Sequence, residues 1–232
     1  MPAFVLLIAA LALAFLLSRL LRLLAQFRRI QRIPVSTVAL LPGSGQAAVT
    51  GNASGAQLSS PFAAIPCVFW SIEVQEYRSN GRSGSWRTVL ARTSDAPLVL
   101  DDGTGRVQIE PAGAALFLQD RFAAQQGMFG GLNQSTLDAL ERLGVRTRTW
   151  LSTSRRLRIR ERQIRHGERV FALGEIARAG AQAALASTPD APLLLSNRDA
   201  PALARDLTMR MLGLLALPLL LLLAALLIGV FG

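Results

Sequence analysis

The chain has 232 residues, room for one domain of moderate size with extensions, and 51% of them are hydrophobic. Its 25 basic residues against 15 acidic ones give a formal charge of +10, and every basic residue is arginine, so no side-chain amine is present to accept ubiquitin or an acetyl group. One cysteine and one histidine exclude an intramolecular disulfide, fit a reducing compartment and fall short of the usual four-ligand zinc cluster.

From Ala3 to Leu17 the sequence is unbroken apolar and continues through Leu20, Leu21, Leu23 and Leu24. About 20 apolar residues at a helical rise cover the hydrocarbon core of a bilayer, so residues 3–25 are expected to form a transmembrane helix. No basic residue precedes the run and no small-residue cleavage site follows it, which favours an uncleaved anchor over a signal peptide. Residues 26–35 read as a basic juxtamembrane linker carrying Arg28, Arg29 and Arg32.

Residues 36–199 are expected to be a β-domain. Ser36 to Leu40 leads through a glycine turn into QAAVTGNASG, a strand broken by glycine. GSGQAAVTG lacks the lysine and the following helix of a phosphate loop and is read as turn and strand. PCVFWSIEVQEY is a long β run in which Cys67 counts as a buried small hydrophobe, and SWRTVLART follows after the SNGRSG turn. PLVLDDGTGRVQIEP is a hairpin; Asp101 and Asp102 alone offer too few oxygens for calcium. The stretch 111–133 is read as a loop, and Ser135 to Leu143 as a short amphipathic helix capped by its serine and stopped by Gly144.

Ten arginines between Arg142 and Arg169 meet only Glu161 and Glu168. Within RRLRIRERQIRHGERVFALGE, Leu157 and Ile159 alternate at period two with Arg156, Arg158, Arg160 and Arg162. That predicts a strand with one arginine-lined face, and His166-Gly167 the turn of a basic β-hairpin. These four arginines are the candidate contacts to an anionic surface. Glu161 shares the face of Leu157 and Ile159, so it is the candidate buried ion pair, with arginine the abundant partner. His166, between arginines, is read as a solvated turn residue. An alanine-rich excursion and the strand APLLLSN follow. Asp199 and Pro201 then start a juxtamembrane helix, 200–210, running into a second expected span, 211–231, which carries Pro218 but no charge.

The elements add up to a mainly β chain: a small OB-like antiparallel β-barrel with one inserted helix, or alternatively a sandwich, flanked by two transmembrane helices. Arg19 and Arg22 follow the unbroken apolar run 3–17 at the end of the first span, Arg28, Arg29 and Arg32 come after it, and Arg205 and Arg210 precede the second. The positive-inside rule therefore puts the central domain in the cytoplasm. Anionic lipid headgroups, with other membrane proteins, are the expected partners. Nucleic acid is not, since the basic run contains only Phe171 for stacking. No nucleophile–base pair, metal set or cofactor motif emerges, so no catalytic, metal or cofactor-binding residue is assigned.

The order of LSSPFAAIPCVFWSIEVQEYR, SW, PLVLDDGTGRVQIEP, RIRERQIRHGERVFALGE and PLLLSNRD between two apolar runs resembles the GIDE domain, also called the beside-a-membrane domain. In eukaryotes that domain belongs to mitochondrial outer-membrane RING-type E3 ubiquitin ligases, where it lies between two spans. No RING zinc ligands are found in this chain, so the resemblance is to the RING-less bacterial type. It implies a two-span inner-membrane protein with a binding or sensing module, or an E3-like protein dependent on a separate catalytic subunit. It supplies no catalytic residue.

Overall fold

The computed structural model describes the backbone of residues 2–79, 81, 83–125, 131–147, 155–179 and 182–231, and the side chains of 14–79, 81, 83–125, 131–147, 155–177 and 183–216. It divides into two compact units, one made of Met1–Pro34 with Asp199–Gly232 and the other of Val35–Arg198. The first unit holds α1 (Pro2–Arg32) and, at the far end of the chain, a helix Ala200–Phe231, which touch one another. Both are continuous: the expected basic linker is helical to Arg32, and the expected juxtamembrane helix runs without a break into the final apolar run. Asp199 starts the second helix by accepting a hydrogen bond from the Ala202 amide at 3.0 Å. Among the described residues no helix is long and apolar enough to cross a membrane. Side chains 3–13 of the first expected span and 217–231 of the second lie outside the described residues.

The second unit is mainly β. In chain order it contains β1 (Gln46–Gly55), β2 (Leu58–Ser59), β3 (Pro66–Cys67), β4 (Phe69–Ser79), β5 (Gly84–Thr93), β6 (Leu98–Asp101), β7 (Arg106–Ile109), β8 (Ala115–Phe117) and β9 (Asp120–Gln125). After these come α2 (Gln134–Arg142), β10 (Leu157–Ile164), β11 (Arg169–Ala179), β12 (Gln182–Ala186) and β13 (Leu194–Ser196); α3 is the helix Ala200–Phe231.

Five strands close into a barrel in the order β1-β6-β7-β12-β11, with β11 returning to β1. Val49, Leu100, Val107, Ile109, Val170, Ala172 and Leu185 fill it, each fully buried, together with Phe69 and Ile164 from the neighbouring sheet. A five-stranded barrel is narrow enough for side chains to occupy its interior completely. The expected barrel is therefore present, but it is not wholly antiparallel. β12 runs parallel to β7, and β13 parallel to β8. β1 is one unbroken strand rather than two pieces split by glycine. A Cβ at Gly51 would lie 2.9 Å from the Asp101 carbonyl oxygen, so glycine there lets β6 approach closely. Ahead of β1, Val38–Leu40 forms a 3₁₀ turn, held where Asp102 Oδ2 and Thr104 Oγ1 accept from the amides of Val38 and Ala39 at 2.8 and 3.2 Å.

A second, antiparallel sheet has the order β5-β4-β10-β9. One face buries Ile72, Val74, Leu157 and Ile159 against Ala139 and Leu140 of α2. Asn133, not the expected serine, caps α2 by accepting from the Thr136 amide at 3.0 Å, while Gly144, at φ +76°, ends it.

The arginine-rich stretch is not a hairpin. Gly167 turns the chain at φ +75° and donates to the Ala53 carbonyl at 2.7 Å, yet the two strands that it joins do not pair. Both edges of β10 are occupied by β4 and β9, so β11 crosses into the barrel and pairs with β1, β12 and β13.

Candidate functional site

Because β10 alternates, Leu157 and Ile159 point toward α2, Glu161 shares their face against residues 62 and 63, and Arg156, Arg158, Arg160 and Arg162 line the opposite face of the second sheet, each half-buried. The neighbours on that face come from the other strands. Arg160 lies across from Glu73 on β4, and Arg158 from Gln75 on β4 and Gln125 on β9. Ser79 pairs with Gly84, so counting back along the β4–β5 hairpin sets Tyr77 opposite Trp86.

The four arginines divide into two pairs. Asp120, at the start of β9, accepts from Arg162 Nε at 2.9 Å and lies 3.8 Å from Arg160 Nε, so this half of the row is partly charge-compensated. Arg156 and Arg158 have no carboxylate partner among the described residues. Their guanidinium carbons lie 4.3 Å above the Tyr77 ring and 4.2 Å above the Trp86 ring, a cation–π geometry. The two rings meet edge to face at 5.4 Å. A Cβ at Gly84 would overlap the Tyr77 hydroxyl, so the absence of a side chain there lets Tyr77 lie across the hairpin. The Nε of Arg156 is buried without a hydrogen-bond partner.

Tyr77, Gly84, Trp86 and Asp120 escaped the sequence reading, which looked for aromatic residues only within the basic run. The hairpin register would have found Tyr77 and Trp86, since the loop between Ser79 and Gly84 sets which residues of β4 and β5 face each other.

Glu161 is fully buried, but the partners the structure gives it are amides rather than the expected arginine. Its Oε2 accepts from Phe62 N at 2.6 Å, and its Oε1 from Ala63 N at 3.3 Å and from Gln163 Nε2 at 2.5 Å. Gln163 also donates to Ser60 Oγ at 2.8 Å, and that hydroxyl in turn accepts from the Ile65 amide at 3.2 Å. Glu161 and Gln163 thus hold the β2–β3 turn, residues 60–65, in which Ala64 adopts φ +52°. A left-handed alanine is unfavourable by about 1 kcal/mol or more, and the buried carboxylate offsets that cost. Its role is architectural.

The single cysteine and single histidine, read separately from the sequence, line one cavity of about 430 Å³ with Gly55, Gln57, Pro66 and Val68. Their electrostatics do not make a nucleophile. Burial, and next the Glu161 carboxylate, push the Cys67 thiol up, so the thiol stays protonated, whereas a reactive cysteine needs its thiolate favoured. His166 is exposed at its turn. Among the described residues no three His, Cys, Asp or Glu side chains gather as a metal would require. Asp101 and Asp102 serve the β6–β7 turn instead, accepting from the amides of Gly103, Thr104 and Gly105.

Residues 71–229 match the family model GIDE, described as an E3 ubiquitin ligase. No curated protein and no solved structure matches the chain. The matched span runs from β4 through α3, taking in the second sheet, α2 and every barrel strand except β1.

Proposed function

The chain belongs to the GIDE family, and we propose that it is a membrane-anchored, non-catalytic binding module whose β-domain holds anionic lipid headgroups. The observation that carries the reading is the pair Arg156 and Arg158, laid over Tyr77 and Trp86 with no carboxylate partner among the described residues, while Asp120 pairs with Arg162 and approaches Arg160. The segments 3–25, interrupted only by Ser18, Arg19 and Arg22 near its end, and 211–231 tether the domain at both ends to an inner membrane. Their arginine flanks put it on the cytoplasmic side, where the leaflet is rich in anionic lipid and attracts each basic side chain near the surface by about 1 kcal/mol. Other membrane proteins are the further partners of such a module.

Two measurements test this. The protein should stay in the membrane pellet through alkaline carbonate extraction, and a reporter fluorescent only in the cytoplasm should light when fused after Gly130 but not after Gly232. Release by carbonate removes the anchor, and the reverse reporter pattern removes the cytoplasmic assignment. The full chain in detergent micelles should retain added phosphatidylglycerol in native mass spectra, and Arg156→Gln with Arg158→Gln should reduce that retention. Undiminished retention would detach lipid binding from this face.

The family's description favours a second reading, a subunit that serves ubiquitin transfer by recruiting a separate catalytic protein. With Cys67 buried and its thiol held protonated, the chain should form no thioester with ubiquitin from a charged conjugating enzyme. A thioester lost in Cys67→Ser would place the chemistry in this chain and sink the non-catalytic reading.

A further inference from the structure

We propose that the Arg156–Arg158 pair is a site for a lipid headgroup carrying two phosphates on a short bridge, in preference to headgroups with one. This rests on the lipid reading above and narrows it to a stated chemistry.

Alternate residues of a strand are about 7 Å apart, so the two arginines offer two donor groups at one fixed interval. Each is held in place by its ring, 4.3 and 4.2 Å away. The rings brace one another at 5.4 Å over the space that Gly84 leaves. Arg158 Nε donates to Gln125 Oε1 at 3.4 Å and Arg156 Nε is buried, so it is the terminal N–H fork of each guanidinium, at the rim of its ring, that can take a phosphate. Holding both forks beforehand lowers the ordering cost of binding, and a ligand gains from this only if it engages both at once. Two phosphodiesters joined through a three-carbon bridge span that interval; a single phosphate reaches one fork.

The far end of the row limits the site to two. Asp120 bonds Arg162 at 2.9 Å and sits 3.8 Å from Arg160, and Glu73 faces Arg160 across the strands. A long polyanion lying along β10 would run onto these carboxylates. A single-stranded nucleic acid would also find few platforms for its bases, because an arginine covers one face of Tyr77 and one of Trp86 and the two rings meet edge to face.

The test titrates the full chain, in detergent micelles, with diphosphatidylglycerol or with phosphatidylglycerol at equal phosphate, reading bound lipid by native mass spectrometry. Binding to the two-phosphate lipid should be at least tenfold tighter. Arg158→Gln should reduce that preference to within about twofold, and Arg162→Gln should leave it intact. Equal affinities for the two lipids would overturn the two-phosphate site while leaving anionic-lipid binding standing; retention of neither would remove that broader reading as well. A preference that survives Arg156→Gln with Arg158→Gln would move the selectivity away from this face and overturn the proposal. So would displacement of the bound lipid by a single-stranded oligonucleotide. Trp86→Leu supplies a second check, since it keeps both charges and should weaken the preference by loosening Arg158.

Discussion

Replacing Glu161 by glutamine keeps the volume of a fully buried side chain while removing its charge and one of its acceptors. In the native cluster Oε2 serves the Phe62 amide at 2.6 Å, and Oε1 serves both the Ala63 amide at 3.3 Å and Gln163 Nε2 at 2.5 Å. A glutamine can turn its carbonyl to only one side. With the carbonyl toward Phe62, the new amide group faces the Ala63 N–H and the Gln163 amide. Turning Gln163 over would offer its unpartnered Oε1 to the new donor, but it would withdraw Nε2 from Ser60 Oγ. One amide therefore loses its acceptor, and the bond to Phe62 changes from charge-assisted to neutral. Bonds to charged groups contribute about 1.5–3 kcal/mol and neutral ones about 1. The charge no longer held out of water returns part of the loss, and the remainder is about 2 kcal/mol. For a domain of this size that lowers Tm by ~4–8 °C. Near-UV circular dichroism of the full chain in micelles would follow it, with Glu161→Ala as the larger perturbation, since it leaves the Phe62 and Ala63 amides without this acceptor at about 1–3 kcal/mol each. A Glu161→Gln protein melting at or above the native temperature would refute the reasoning. It would mean that desolvation of the carboxylate outweighs the bonds it makes to the 60–65 turn.

Gly51→Ala would put its new methyl 2.9 Å from the Asp101 carbonyl oxygen. It should cost about 1–3 kcal/mol, read as a lower urea midpoint, and an unchanged midpoint would show that β1 and β6 can separate freely. Cys67, buried and with its thiol pushed up first by burial and then by Glu161, should resist iodoacetamide at mildly alkaline pH until the domain unfolds; rapid labelling of the folded protein would contradict that burial. Burial alone would raise the Asp102 carboxyl, but the Val38, Thr104 and Gly105 amides and the Thr104 hydroxyl together hold it below the ordinary range. A depressed folded value stabilises above the unfolded pKa and is lost as pH falls through the folded one. Protection of the Val38 amide, its exchange relative to the intrinsic rate, should therefore fall only once the pH drops below ~4, and Asp102→Asn should abolish that dependence.

How much was legible in the sequence depends on the distance over which each cause acts. The alternation of Leu157 and Ile159 with four arginines, the hairpin around Gly103, the stop at Gly144 and the positive-φ turn at Gly167 are consequences of neighbouring residues. Side-chain direction and backbone preference are set within a few positions, so the sequence was enough for these. It was also enough to put Glu161 on the face of Leu157 and Ile159.

Only the tertiary structure decided what lies beside each strand. A glycine turn says that the chain changes direction but not which sheet receives it, and the run 155–175 was read as one hairpin although its halves belong to different sheets. β12 went unseen because QAALA has none of the β-branched residues that mark a strand; its place comes from pairing with β11 and β7. The partners of Glu161 lie 99 and 98 residues earlier in the chain, beyond any local pattern. Tyr77 and Trp86 reach Arg156 and Arg158 only because β10 pairs with β4 and β4 with β5. Periodicity announced a basic strand, and strand pairing, a choice made by the whole barrel and sheet at once, turned half of it into a pair of arginines laid over aromatic rings.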